Sequence, residues 1–386
     1  MTWENGSGLA LTEVEEEVRT LARNFARKEV LPKAAEIDKN HRFPAELIPE
    51  IGALGFFGAC IPETFGGAGL SQIAYCLIIE ELAAACASTS IIVSAHHSLC
   101  VGPILSFGTE EQKKTWLPDL ATGKKLGCFA LSEPQAGSDA GAIACTVDDM
   151  GDHYLVNGIK NWITNATNAK TCVLFATSDK SKKHKGISAL VHDMTLPGIS
   201  LGKPEEKMGI RGSSTASIIY DNVKMPKDAL LLNNGDGFKI AMTTLNGGRT
   251  GVAAQAIGIA RASLKDALDY AKERESFGKK ICEHQSIQNY LAEMVTKIDA
   301  ARLLNIAAAR NKDLGLPYTK EAAQAKLFAS ETAVWCALKG IQIFGGNGYV
   351  TDYPAERHLR DAKITEIYEG TSEIQKIVIA AQLIKE

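Results

Sequence analysis

Tyr154-Leu-Val-Asn157-Gly158-Ile-Lys160-Asn-Trp162-Ile-Thr164 carries the clearest β signature in this 386-residue chain. Apolar and polar residues alternate on both sides of Asn157-Gly158. An Asn-Gly pair supplies the positive φ angles of a two-residue turn, so the stretch predicts a β-hairpin. With a period of two, Lys160, Trp162 and Thr164 are expected on one strand face. From about Leu126 to Leu232 other short β-rich runs alternate with turns, among them Thr171-Cys-Val-Leu-Phe-Ala-Thr177 and Ala216-Ser-Ile-Ile-Tyr220. A β domain therefore sits mid-chain.

On either side of it the period changes. Thr12 and Glu15 form a capping box, and Leu11, Val14, Val18, Leu21 and Phe25 recur at alternating spacings of three and four, which predicts one amphipathic helix face. Between Pro44 and Leu105 come apolar stretches rich in Ala, Ile and Leu. The loop Pro62-Glu-Thr-Phe-Gly-Gly-Ala-Gly69 breaks them, with too many glycines for a helix interior. After Gly237 the helical period returns, with Ile287, Leu291, Met294 and Ile298 on one face. The order helices, strands, helices divides the chain into residues 1–125, 126–235 and 236–386, and its length allows two or three domains.

Composition narrows the function. The chain is 45% hydrophobic and 23% charged with a formal net charge of -3, which gives no footprint for nucleic acid. Nine cysteines are scattered, odd in number and never spaced C-x-x-C, which fits a reducing compartment and buried structural thiols. No stretch approaches the ~20 apolar residues of a spanning helix, so no membrane is expected. The start, Met1-Thr-Trp-Glu-Asn-Gly6, has neither the secretory nor the transit pattern. The expected location is the cytoplasm in a bacterium, or the mitochondrial matrix in a eukaryote with the transit peptide absent from this sequence.

Several chemistries lack their motif. There is no Walker loop, and Gly66-Gly67 and Gly345-Gly346-Asn-Gly348 lack the context of a dinucleotide fingerprint. No H-E-x-x-H or compact metal-ligand set occurs, and His96-His97, as helix neighbours, point in different directions, so no metal is expected. No G-x-S-x-G elbow anchors a serine hydrolase. Lys180-Ser-Lys-Lys-His-Lys185 could meet a phosphate, although a solvated loop between strands accounts for it.

Five blocks remain: Cys128-Phe-Ala-Leu-Ser132-Glu-Pro-Gln-Ala-Gly137-Ser138-Asp139, Asn161-Trp162-Ile-Thr164-Asn165, Tyr270-Ala-Lys-Glu-Arg274-Glu-Ser-Phe277-Gly278, Gln342-Ile-Phe-Gly345-Gly346 and Ile367-Tyr368-Glu369-Gly370-Thr371-Ser-Glu373. Singly, each has a structural account: Ser132-Glu-Pro as a turn, Trp162 as a core aromatic, Arg274 as a solvated helix arginine, Ser372 with Gln375 as a capping box. In this order, over a helix, strand, helix plan, they resemble the acyl-CoA dehydrogenases. The Cys-Phe-Ala-Leu-Ser-Glu-Pro and Tyr-Glu-Gly-Thr-Ser-Glu spellings are most similar to the short-chain (butyryl-CoA) members. The resemblance runs from about Thr12 to the C terminus. It implies an α+β multidomain fold: an N-terminal α-helical domain, a central β-barrel-like domain and a C-terminal four-helix bundle.

The resemblance also implies a flavoprotein oxidoreductase of fatty acid β-oxidation or related catabolism. It would use FAD to convert a short-chain acyl-CoA to the trans-2-enoyl-CoA and pass electrons to electron-transfer flavoprotein. Cys128, Phe129, Leu131, Ser132, Gly137, Ser138, Trp162, Ile163, Thr164, Thr371 and Glu373 match positions that bind the FAD. An indole and a hydroxyl two residues apart on one strand suit the π face and polar edge of a flavin. Arg274, Phe277, Gln285, Gln342, Gly345 and Gly346 match positions that reach the FAD of the adjacent subunit, which implies a homotetramer built as a dimer of dimers. Ser138, Asn246, Arg249, Tyr368 and Gly370 match substrate-side positions.

Glu369 matches the base that removes the α proton, beside Gly370, whose missing side chain lets a substrate approach. A weakly acidic α proton calls for a carboxylate in an apolar pocket that raises its pKa. By resemblance, the backbone N–H of Glu369 and a ribityl hydroxyl of FAD stabilise the enolate-like oxygen. In branched-chain and long-chain relatives the base precedes an arginine on a C-terminal-domain helix. Here Gly248 precedes Arg249, so no carboxylate competes. No arginine lies between Arg42 and Arg211 to bind the second carboxylate of a glutaryl substrate. Where the family reads Asp-x-Gly-Arg, this chain has Asn246-Gly-Gly-Arg249, an amide in place of the acidic contact to CoA. Ala95-His96-His97-Ser98 stands where short-chain members carry uncharged amides. The alternatives are a branched short-chain (2-methylacyl) dehydrogenase, an oxidase, and a catalytically silent flavin or acyl-CoA binding scaffold.

Overall fold

The computed structural model describes Glu4 and residues 10–385; the rest of the Met1–Gly6 stretch considered for a leader lies outside the described residues. Helix Glu13–Phe25 starts where expected: Thr12 Oγ1 accepts from the Glu15 N–H and the Glu15 carboxylate from the Thr12 N–H. Its buried face is different from the predicted one. Val14 is 54% and Leu21 45% exposed, whereas Glu15 and Arg19 turn inward with Ala22 and Phe25. Burial of Glu15 is offset by hydrogen bonds from Thr12 and from the Ser71 hydroxyl.

Helix Gln72–Ala85 is apolar and buried on nearly every side, as a core helix must be. The helical run Ala87–Phe107 follows, with π-helical hydrogen bonding over Ala95–Val101. This run corrects the expectation that no stretch approaches spanning length: it has 21 residues, and an 18-residue window of it has mean hydropathy 1.4, but 78% of that window is buried inside the protein. It is a core helix.

The middle of the chain forms a mixed sheet of strands β1 (Leu126–Ala130), β2 (Thr146–Asp149), β3 (His153–Thr164), β4 (Ala169–Thr177), β5 (Ile187–Asp193), β6 (Ile199–Leu201), β7 (Thr215–Pro226) and β8 (Leu230–Leu231). Their order is β6-β7-β3-β2-β4-β5-β8, with β1 beside β4, so the sheet is open rather than a closed barrel. The Asn157-Gly158 hairpin does not form. β3 runs straight through that pair and bulges there, where the Asn157 amide oxygen accepts from the Asn222 N–H of β7. Gly158 serves close packing instead, because a Cβ on it would stand 2.7 Å from the Cys145 Cα.

The C-terminal helices are Gly237–Glu273, Gln285–Asp313, Thr319–Phe344 and Ser372–Leu383, with the short Ala355–Lys363 between the last two. Alanines fill the seam of the bundle, among them Ala256, Ala260 and Ala267 on the first helix and Ala325, Ala329 and Ala333 on the third. A buried ion cluster ties this bundle to the N-terminal helices: Arg261 pairs with Glu81 and Glu80, Arg302 with Glu80, and Arg23 with Glu81.

Candidate active site

One cavity of about 1290 Å³ opens where the three regions meet. Pockets for one small molecule hold roughly 300–1,000 Å³, so there is room for a large cofactor beside a substrate. The sheet supplies one wall, by alternation along β1 and by the residues just past its end. Phe129, Leu131 and Ser132 face the cavity, whereas Cys128 and Ala130 turn to the other side, where Cys128 lies fully buried opposite Cys172 of β4. Gly137 and Ser138 continue the lining.

Trp162, Ile163 and Thr164 line it too, but Lys160 does not share their face. The strand bulges between Lys160 and Ile163, and Trp162 takes φ 61°, leaving it 60% exposed toward the cavity. Lys160 instead points inward, fully buried, and donates to Glu133 at 2.6 Å and to the Leu131 carbonyl at 3.0 Å. Glu133 also accepts from the Ala144 and Cys145 N–H groups. A buried charge is tolerated only when paired in this way, and here it pins the backbone beneath Leu131 and Ser132.

Opposite the sheet runs one face of helix Gly237–Glu273. Phe238, Met242, Leu245 and Arg249 line the cavity at spacings of four, three and four, a helical stripe present in the sequence but not singled out there. Ile91, Ala95 and Leu99 add an apolar patch. His96 and His97 point away from it. His96 bonds the Leu120 carbonyl and the Gly127 N–H, and His97 the Phe57 carbonyl, and burial lowers their pKa to about 4 and about 3. Both are neutral core residues, so the unusual His-His pair does not touch the cavity. Asn246 is likewise off the wall. It accepts from Arg249 at 2.6 Å and donates to Thr319, orienting an arginine that does line the cavity.

Tyr368, Glu369, Gly370 and Thr371 close the apolar end. The turn is left-handed, with φ 52° at Glu369 and 93° at Gly370. Thr371, rather than Ser372, is the N-cap of helix Ser372–Leu383: its hydroxyl accepts from the Ile374 N–H, and Ser372 sits one residue into the helix. Gln375 bonds back to the Gly370 carbonyl at 2.7 Å instead of closing a capping box. Tyr368 donates to Gln255.

The Glu369 carboxylate borders the cavity, and its Oε2 is enclosed with no hydrogen-bond partner among the described residues. Burial pushes its pKa up to about 7, against the pull of Lys326 and then Arg249. Lys326, fully buried, was not identified from the sequence. It donates to the Gly370 carbonyl at 2.8 Å across 44 residues of chain. A Cβ at Gly248 would lie 2.0 Å from Glu369 Oε2 and 3.1 Å from Leu99 Cδ2, so the glycine leaves the space that the carboxylate occupies.

The remaining candidates lie elsewhere. Arg274, Phe277, Gln285, Gln342, Gly345 and Gly346 are exposed and away from this cavity, with Phe277 95% exposed at φ 52°. Glu373 is exposed on a small neighbouring depression. The Lys180–Lys185 loop is exposed as expected, yet Lys180, Lys183 and His184 border the cavity mouth.

With this geometry in view, the comparisons with known proteins are decisive. Residues 12–124 match the family description "Acyl-CoA dehydrogenase, N-terminal domain", residues 128–223 its middle domain and residues 235–384 its C-terminal domain. The chain belongs to the acyl-CoA dehydrogenase family. It is 52% identical to the mitochondrial short-chain specific acyl-CoA dehydrogenase of Bos taurus, over 97% of this chain and 91% of the relative. Butyryl-CoA dehydrogenase from Megasphaera elsdenii superposes with a TM-score of 0.96 at 45% identity, covering 98% of this chain and 100% of the other. A chain in the structure described as the electron transferring flavoprotein of Acidaminococcus fermentans superposes with a TM-score of 0.97 at 47% identity, covering 98% and 100%.

Proposed function

We propose that this protein is a short-chain acyl-CoA dehydrogenase, forming the trans-2-enoyl-CoA with FAD as cofactor and electron-transfer flavoprotein as acceptor. The observation that carries the mechanism is the Glu369 carboxylate: enclosed, unpartnered at Oε2, on the cavity wall, with a pKa pushed up to about 7. A base so poised is ionised near neutral pH yet still strong enough to take a proton from carbon. The residues present suit a flavin, with Trp162 turned into the cavity and the hydroxyls of Ser132 and Thr164 beside it. FAD supplies the acceptor for the hydride that leaves the β carbon. Glu369 takes the α proton, and its backbone N–H, which bonds no described residue, is free to donate to the thioester oxygen as charge builds there. Ile91, Ala95 and Leu99 keep water from the acyl chain.

Arg274, Phe277, Gln285, Gln342, Gly345 and Gly346 fit a role at the FAD of a neighbouring subunit in a homotetramer, because their exposure leaves them no part in the cavity of their own chain. The relative from Bos taurus is a mitochondrial protein, and a comparable site in the matrix fits a eukaryotic source. Anaerobic addition of butyryl-CoA to the yellow holoprotein should bleach the flavin, and electron-transfer flavoprotein should restore the colour faster than oxygen does. Persistent colour across a panel of straight and branched short acyl-CoAs would sink the proposal.

A further inference from the structure

Lys326 lies in the middle of helix Thr319–Phe344, on a face otherwise occupied by Ala322, Ala325, Ala329 and Ala333. A lysine buried without compensation costs several kcal/mol and is rarely kept in such a place. Its ammonium has one hydrogen bond, to the Gly370 carbonyl at 2.8 Å, and no acid within ion-pair distance among the described residues. The carbonyl it holds belongs to the second residue of the left-handed turn, φ 52° at Glu369 and 93° at Gly370. A non-glycine residue at positive φ costs of order 1 kcal/mol or more and persists only where its surroundings fix it. Gln375 reaches the same carbonyl at 2.7 Å from the other side. The turn is therefore clamped by one cationic and one neutral donor.

We propose that Lys326 is a positioning residue for the base: its ammonium clamps the turn that aims the Glu369 carboxylate into the cavity. The inference rests on the reading of Glu369 as the base. Three further groups bear on the carboxylate. Arg249 faces it from helix Gly237–Glu273 as a second cation, and Tyr75, on helix Gln72–Ala85, and the adjacent Tyr368 are phenols kept neutral first by burial and further by its charge. Glu366, Glu373 and Arg249 act on Lys326 itself. Burial lowers the Lys326 pKa to about 8, which still leaves it charged where Glu369 ionises, near 7. The sign follows. Burial raises the pKa of Glu369 and Lys326 lowers it, so neutralising Lys326 must raise it further and delay ionisation of the base to higher pH.

The test uses FAD-loaded wild type, Lys326→Met and Lys326→Gln, with kcat/KM for butyryl-CoA measured across pH. Methionine keeps the apolar volume and removes both donor and charge; glutamine removes the charge and keeps a donor. Both variants should move the midpoint of the acid limb up by about one unit, a roughly tenfold loss of rate below it. The high-pH plateau should drop more in Lys326→Met than in Lys326→Gln. Should Lys326→Met fail to load FAD, the glutamine variant still decides the charge effect. An unchanged midpoint in an FAD-loaded variant overturns the proposal, since a purely structural lysine would change yield and plateau without moving it. If wild type itself is not reduced by butyryl-CoA at any pH, it is the proposed function that fails; if wild type is reduced and the midpoint stays, only the role of Lys326 does.

Discussion

Glu133 and Glu369 are both carboxylates withdrawn from bulk solvent, one beneath the wall of the cavity and one on it, and they are built in opposite ways. Burial pushes the Glu133 pKa up, but the Lys160 ammonium at 2.6 Å and the N–H groups of Ala144 and Cys145 outweigh it, and the net shift is downward. Glu369 has cations nearby but no hydrogen bond at Oε2, and its pKa is pushed up to about 7. Satisfied donors make a carboxylate a fixed structural charge; leaving them out makes it a base. The same side chain thus braces the sheet in one place and is left free to exchange a proton in the other.

The largest expected effect is at the unpaired member. Glu369→Gln removes the proton acceptor while keeping shape, so FAD and acyl-CoA binding should persist while kcat falls by about 10²–10⁴-fold. In wild type, kcat/KM should rise with pH through about 7, because the base must be deprotonated and its pKa stands there. A midpoint near that of an ordinary carboxylate would erase the contrast with Glu133. Breaking the paired member should affect stability instead. Lys160→Met strands Glu133 in the sheet interior, a change expected to cost about 3–5 kcal/mol in denaturant unfolding. FAD content should fall with it, since Leu131 and Ser132 lose their support. A stable, fully flavinated Lys160→Met would show that the pair is not what fixes that wall.

What the sequence made legible follows from how local each cause is. The Thr12 and Glu15 box was readable because cap and partner are three residues apart, and the place of Glu369 at the cavity because its motif is contiguous. Gly158 misled because its reason for being glycine is the approach of Cys145 across the sheet, which an Asn-Gly pair does not announce. Lys160 was assigned to the wrong face since a bulge, not a residue type, breaks the alternation after it. Val14 and Leu21 were misplaced because the buried face of their helix carries Glu15 and Arg19, and Glu15 is satisfied there by its own cap and by Ser71, 56 residues away. Lys326 was invisible for the same reason: nothing near it in sequence reveals a carbonyl 44 residues away.

Gly248 gives the finest probe of the contrast, because it tests whether Glu369 is reactive through its pKa alone or also through where its oxygen stands. A Cβ there would meet Glu369 Oε2 at 2.0 Å, and Leu99 Cδ2 at 3.1 Å limits escape on the other side. Glu133 has no such constraint, being held by its donors rather than by empty space. Gly248→Ala lies within helix Gly237–Glu273, where alanine is the better helix former by about 1 kcal/mol, so global stability should hold or rise slightly. The carboxylate, however, must swing aside, and a displacement of about 1 Å is enough to cost on the order of 10²-fold in rate. Gly248→Ala should therefore lose activity with its thermal midpoint and FAD content intact, read by kcat and by flavin absorbance on the same sample. Activity equal to wild type would mean that the turn carrying Glu369 yields easily, and that its clamp by Lys326 and Gln375 is looser than the hydrogen bonds suggest.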